Sequence, residues 1–279
     1  VTPDSTNPPS SPSSTVPRVR LDVDGQIARL FLTRPEVRNA FDDVLIAELS
    51  AALLVVRNGF ETDPAVAPRA LVLTGEGTAF CAGADMNWMR RSVTYSRDEN
   101  EADARRFAGM MRALDELPIP TIARVNGACL GGGMGLIACC DIVVAAEEAD
   151  FGFTEVRLGI APAVISSFVL PKIGVAAARR WFLTGEIFPA SAAKSMGLVH
   201  EIVPLADLDL ATARIAAAIA GNGPLAVAAA KRLIRENTAL RRDDAIENSV
   251  RAIAALRASL EGQEGLGAFL EKRRPAWKS

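Results

Sequence analysis

Gly131, Gly132 and Gly133 follow an apolar run over residues 120–127, and together they read as a strand that turns into a helix. Residues without side chains let a ligand reach the backbone, and the first turn of a helix leaves N–H groups unpaired. Such groups are ready donors to an oxygen that gains negative charge during a reaction. A second segment of this kind lies upstream: the apolar run 70–74, then Gly75 and Gly77, then FCAGAD over residues 80–85. Two such turns suggest two backbone donors facing one oxygen, with the N–H groups of Ala84 and Gly132 as the pair. A hole of that kind stabilises an enolate or a tetrahedral oxyanion, at on the order of 3 kcal/mol per donor.

An acid or base must accompany the hole. Glu155 is the best candidate, in the stretch DFGFTEVRLGIAP over residues 150–162, an apolar neighbourhood between a strand end and a turn. Burial there raises a carboxyl toward the range useful for moving a proton. A surface glutamate paired with Arg157 is the competing reading, and both stand at this stage. Glu147 and Glu148 sit in a polar turn and read as solvated, and His200 reads as a strand residue near the start of the helical region. Asp85 follows Gly83 and Ala84 and opens a short helix, so it reads as a cap. No serine stands in a nucleophile elbow. The spacing of Gly127, Gly131 and Gly133 departs from G-x-G-x-x-G, and neither Asp141 nor Asp150 convinces as a ribose ligand, which argues against a dinucleotide site. A purely structural tight turn is the plainer alternative.

The elements that position these residues alternate. Strands are expected at 27–33, 70–74, 120–125 and 141–146. Residues 42–60 carry Leu45, Leu49, Leu53 and Val56 at helical spacing, and 101–117 carry Ala104, Phe107, Met111 and Leu114 on one face, stopped by Pro118 and Pro120. Alternation of this kind predicts an α/β core with largely parallel strands. From about Pro204 the chain is almost all helix-forming, broken at residues 221–224, where Pro224 is placed to begin a helix.

The bulk properties agree. The 279 residues are 49% apolar and only 5% aromatic, so Ala, Val, Leu and Ile must fill a large core. A net charge of −2 argues against non-specific nucleic-acid binding, and no run approaches a membrane span. The four cysteines and single histidine form no metal-site pattern, and the cysteines read as buried free thiols in a reducing compartment. Residues 1–17 are rich in Ser, Pro and Thr. They lack the basic start and apolar stretch of a secretory signal, so a disordered tail and cytoplasmic residence are expected.

Taken in order, LTRPEVRNA (32–40), FCAGAD (80–85), VNGACLGGG (125–133), CDI (140–142), residues 151–162 and the terminal FLEKR (269–273) resemble the crotonase, or enoyl-CoA hydratase/isomerase, superfamily from about Val19 onward. The resemblance implies a spiral of ββα units over 18–204 and a helical region over 205–279 that assembles a homo-trimer or hexamer. It implies an acyl-CoA thioester as the ligand, with no separate cofactor, and a carbon–oxygen lyase reaction. The thioester oxygen would sit between the N–H groups of Ala84 and Gly132, with Glu155 as the acid or base. CoA would run along Val37, Arg38, Ala82, Asp85 and Met86, with Lys272 of a neighbouring copy in reach.

One departure stands out. Hydratases of the family carry a first glutamate just after the glycine turn, and Gly135 holds that position here. A single glutamate suffices for double-bond migration, so Δ3,Δ2-enoyl-CoA isomerisation stays open beside hydration, as does a catalytically silent CoA-binding protein; a dehydrogenase is the remotest reading. A finer resemblance, over residues 85–90, 95–100, 138–142 and 155–159, is to the bacterial branch of methylglutaconyl- and isohexenylglutaconyl-CoA hydratases in leucine and terpene breakdown. Its substrates carry a second carboxylate, which Arg90 or Arg91 would meet and which would organise water beside Gly135.

Overall fold

The computed structural model describes residues 16–278. The expected N-terminal tail lies, over residues 1–15, outside the described residues.

The described chain opens with a hairpin, β1 (Val19–Asp24) against β2 (Ile27–Leu32), turned by Gly25 at φ 55. The first of these strands was not anticipated, because its alternation of Val, Leu and Val with Arg and Asp is short and half-exposed. Helix α1 (Asp43–Thr62) follows, its N-terminus capped by the side chain of Asp42. Three strand pairs then succeed one another. β3 (Ala70–Gly75) and β4 (Ala79–Cys81) lead to α2 (Met86–Ser92) and α3 (Arg97–Asp115); β5 (Thr121–Val125) and β6 (Ala128–Leu130) lead to α4 (Gly132–Cys139); β7 (Ile142–Ala146) and β8 (Asp150–Gly152) lead to α5 (Ala163–Thr184). The first strand of each pair joins a six-stranded sheet and the second joins a four-stranded one, which is the expected spiral.

The remaining elements are β9 (Ile187–Pro189), α6 (Ala190–Ser195), β10 (Glu201–Val203), α7 (Leu208–Ala220), α8 (Pro224–Ala239), α9 (Arg242–Ala258) and α10 (Leu260–Leu270). The large sheet runs β1-β2-β3-β5-β7-β10 and is parallel from β2 onward. Strand alternation sends Leu71 and Leu73 into the main core, while Val72 joins Ile122, Val144 and Leu208 beneath α7 on the other face. Helix α5 escaped the sequence reading, because Pro171 and the non-helical Gly174 interrupt its pattern. Helix α3 starts four residues earlier than expected, at a capping box of Ser96 and Glu99.

Polar contacts tie the C-terminal helices to the core. Lys231 of α8 pairs with Asp141 at 2.7 Å, and Asp141 in turn accepts the Thr121 N–H. Arg69 donates to the carbonyls of Ala220 and Trp277. All four cysteines are buried and free, as expected.

Candidate active site

The two glycine turns meet at one point. Ala84 forms an isolated parallel bridge with Phe41, in which the Phe41 N–H donates to the Gly83 carbonyl and the Asp85 N–H to the Phe41 carbonyl. A parallel bridge engages the groups on either side of the bridged residue, so the N–H of Ala84 itself points away from Phe41. The turn is held from both sides. The Ala82 N–H donates to the Arg38 carbonyl at 2.9 Å, and Asp85 caps α2 by accepting from Asn87 and Trp88. Arg34 reaches Asp85 at 2.9 Å and Asp42 at 3.0 Å, so one guanidinium clasps the cap residues of α1 and α2. Burial alone would raise the Asp85 carboxyl, but the two cap N–H groups and Arg34 outweigh it and hold it below its ordinary value.

The second turn is set by Gly131, at φ 50 and ψ −118, whose N–H donates to the Gly152 carbonyl. Gly132 is the first residue of α4, where no preceding turn supplies an acceptor for its N–H. A methyl placed on Gly132 would stand 3.0 Å from the Phe41 ring and 3.1 Å from the Phe107 ring. One on Gly133 would stand 2.7 Å from the Cys81 carbonyl. The triple glycine is therefore required partly by packing, and only its first two members face the cavity. A methyl on Gly131 would lie 3.6 Å from Gly83 Cα and 3.6 Å from Glu155 Oε1, so both turns and the carboxylate converge.

Glu155 opens a 3-10 turn, Glu155–Leu158, closed by Gly159 at φ 75. The pairing with Arg157 is not made. Burial raises the Glu155 carboxyl above its ordinary 4.5, and its Oε2 is buried with no hydrogen-bond partner among the described residues. A carboxyl raised by burial holds its proton more readily than a solvated one, which suits a group that must both give and take a proton. His200 lies just ahead of β10, where Nδ1 accepts the Val143 N–H, away from this point.

These groups line a cavity of about 390 Å³ that includes Ala82, Ala84, Gly131, Gly132 and Glu155. Other expected residues do not line it. Val37, Arg38 and Met86 are exposed, and Asp85 is consumed by its cap and by Arg34. Lys272 lies past the end of α10, at φ 53. Arg90 and Arg91 lie outside the cavity lining too: Arg90 donates to Asn87 on its own helix and Arg91 pairs with Asp43. Gly135 lies outside this lining as well, and Ile165 and Met111 fill the volume a side chain there would take.

Sequence reasoning missed Phe41, Trp88, Asp103 and Ile165 in the lining. Asp103 is 8% exposed, pairs with Arg106 at 2.8 Å, and lies on the same face of α3 as Ala104 and Phe107. That face had been read as core alone, and an acid within it was the available signal. A second cavity, of about 790 Å³, opens beneath α8 and shares no residue with the first.

A family model for enoyl-CoA hydratase/isomerase matches residues 22–279. The chain belongs to the enoyl-CoA hydratase/isomerase family. A solved enoyl-CoA hydratase from Shewanella pealeana superposes with a TM-score of 0.87 at 39% identity, over 93% of this chain and 96% of that one. Crotonyl-CoA hydratase of Syntrophomonas wolfei is 33% identical over 91% of this chain and 95% of its own length. The 2,3-dehydroadipyl-CoA hydratase of Escherichia coli is 33% identical over 91% and 95%. The fold is that of the crotonases, and the chain is an enzyme of the enoyl-CoA hydratase type with acyl-CoA as its substrate class.

Proposed function

We propose that the N–H groups of Ala84 and Gly132 form the oxyanion hole of this enoyl-CoA hydratase, with Glu155 moving the proton at the α-carbon. The observation that carries the proposal is that Gly83 Cα and Glu155 Oε1 each lie 3.6 Å from where a Gly131 side chain would stand, on one cavity. The thioester oxygen takes the two backbone donors, which stabilise the enolate as water adds across the double bond. The thioester supplies the acidity, so the step needs no metal or redox cofactor. CoA runs over Arg38 and Ala82, whose backbones are hydrogen-bonded to each other. Exposed Ile234, Leu260, Phe269 and Leu270 on the C-terminal helices support contact between copies in a trimer or hexamer.

A second reading, Δ3,Δ2-enoyl-CoA isomerisation, is favoured by one observation: the position of a second acid next to the glycine turn is taken by Gly135 and walled by Ile165. The finer resemblance to the glutaconyl-CoA branch asks for a cation at the acyl end. Neither Arg nor Lys is among the described residues of the lining, so that selectivity would have to come from a neighbouring copy. A panel of straight-chain, branched and glutaconyl CoA esters, scored for hydration and for double-bond migration, tests these readings together. Hydration of 2-enoyl esters is expected, and migration alone would replace the proposal by the isomerase.

A further inference from the structure

The cavity lining contains two carboxylates among the described residues, Glu155 and Asp103. We propose that Asp103 is the second acid of this hydratase, holding and deprotonating the water that adds to the β-carbon while Glu155 serves the α-carbon. The proposal rests on the hydratase reading above.

Three observations carry it. The position after the glycine turn cannot supply the acid, because Ile165 and Met111 close it. Helix α3 supplies one instead. Asn100, Asp103, Ala104 and Phe107 all line the cavity at helical spacing, and the Phe107 ring is 3.1 Å from where a Gly132 side chain would be. Asp103 therefore stands one helical turn, about 6 Å of rise, from a ring that touches the hole. Arg106 holds Oδ1 at 2.8 Å, and Oδ2 accepts no hydrogen bond from the described residues.

The third observation is independent of Asp103. Trp88 Nε1 and Glu155 Oε2 are both buried without a hydrogen-bond partner, and both residues line this same cavity. Buried polar atoms without protein partners mark where a polar ligand atom belongs. A water needs two to four polar neighbours, and Trp88, Glu155 and Asp103 bring a donor and two acceptors to this cavity, beside polar Ser92, Asn100 and Thr154 and apolar Phe41, Phe107 and Ile165.

The step balances. Asp103 takes one proton from water as the oxygen bonds to the β-carbon. The π pair moves onto the thioester enolate between Ala84 and Gly132. Protonated Glu155 gives its proton to the α-carbon, and exchange with solvent returns both carboxyl groups to their starting states.

Two assays separate the acids. Exchange of the α-protons of butyryl-CoA in deuterium oxide uses the hole and Glu155, whereas hydration of crotonyl-CoA uses Asp103 as well. For Asp103→Asn, hydration is expected to fall at least ~100-fold while exchange persists. For Asp103→Ala, added formate is expected to restore part of the hydration rate, which a packing defect would not allow. Hydration by Asp103→Asn at the wild-type rate would overturn the proposal. So would a joint loss of exchange and hydration, which marks a structural role. Failure of the parent reading looks different: exchange would then survive Glu155→Gln.

Discussion

Ile165 fills the space that any side chain at position 135 would need. A methyl on Gly135 would stand 3.1 Å from Ile165 Cβ, closer still to its Cγ2, and 2.9 Å from Met111 Cε. Helices α4 and α5 meet at this glycine, and the close approach is what excludes an acid there.

Restoring a glutamate at that site is therefore expected to destabilise the fold rather than improve catalysis. Gly135→Glu should cost about 1–3 kcal/mol by overpacking, lowering Tm by several degrees without raising crotonyl-CoA hydration. The double variant Gly135→Glu with Ile165→Ala should recover part of that loss. Calorimetric melting of the two variants checks this, and an unchanged Tm for Gly135→Glu would show that the space yields freely.

Glu155→Gln should abolish turnover and yet stabilise the protein at neutral pH. Burial raises the folded-state carboxyl above 4.5, so the folded chain binds more protons than the unfolded one and wild-type stability falls as pH rises through that range. Glutamine removes this penalty. Its Tm should exceed that of wild type at pH 7, and the gap should close below the ordinary glutamate value. CoA-ester binding, followed by calorimetry, should be retained.

Ala84→Pro deletes one backbone donor that makes no hydrogen bond to the described residues, while leaving the Gly83 carbonyl free to accept from Phe41. A loss of about 10²–10³-fold in kcat is expected. Far-UV circular dichroism should be unchanged. A kcat near wild type would show that the thioester oxygen lies elsewhere.

Arg34→Met removes the clasp between two buried caps. The side chains involved are 13%, 7% and 5% exposed, and stripping one partner from such a set costs about 3 kcal/mol. The Asp85 carboxyl is held below its ordinary 3.8, so its share of stability is present above that value and is lost as pH falls through the depressed one. The difference between wild type and variant in urea unfolding should be largest at neutral pH and shrink in acid.

The sequence made much of this site legible, for physical reasons that differ by residue. Gly131 to Gly133 and the FCAGAD turn stood out because backbone geometry needs glycine there. Glu155 stood out because an acid among Phe151, Phe153 and Ile160 demands a reason. Asp103 was hidden because an acid on a helix is ordinarily solvated, and only the packing of α3 across the cavity turns it inward. Arg90 and Arg91 lie outside the lining for the opposite reason. Their position one turn past the cap placed them near the hole along the chain, but α2 rotates both outward. The filled space at Gly135 was beyond reach, since Ile165 lies thirty residues on and meets it only in the folded packing of α4 and α5.

The four buried cysteines give the molecule a built-in clock. Burial pushes the thiols of Cys81 and Cys140 up to about 12 and raises those of Cys129 and Cys139 as well, so hardly any thiolate exists at neutral pH in the folded state. Alkylation by iodoacetamide must then wait for the chain to open, and its rate reports the free energy of that opening. Cys81 and Cys129 sit in the small sheet behind the hole, and Cys139 and Cys140 at the end of α4. Mapping which thiol is labelled first would show whether the two walls of the cavity come apart together or one before the other.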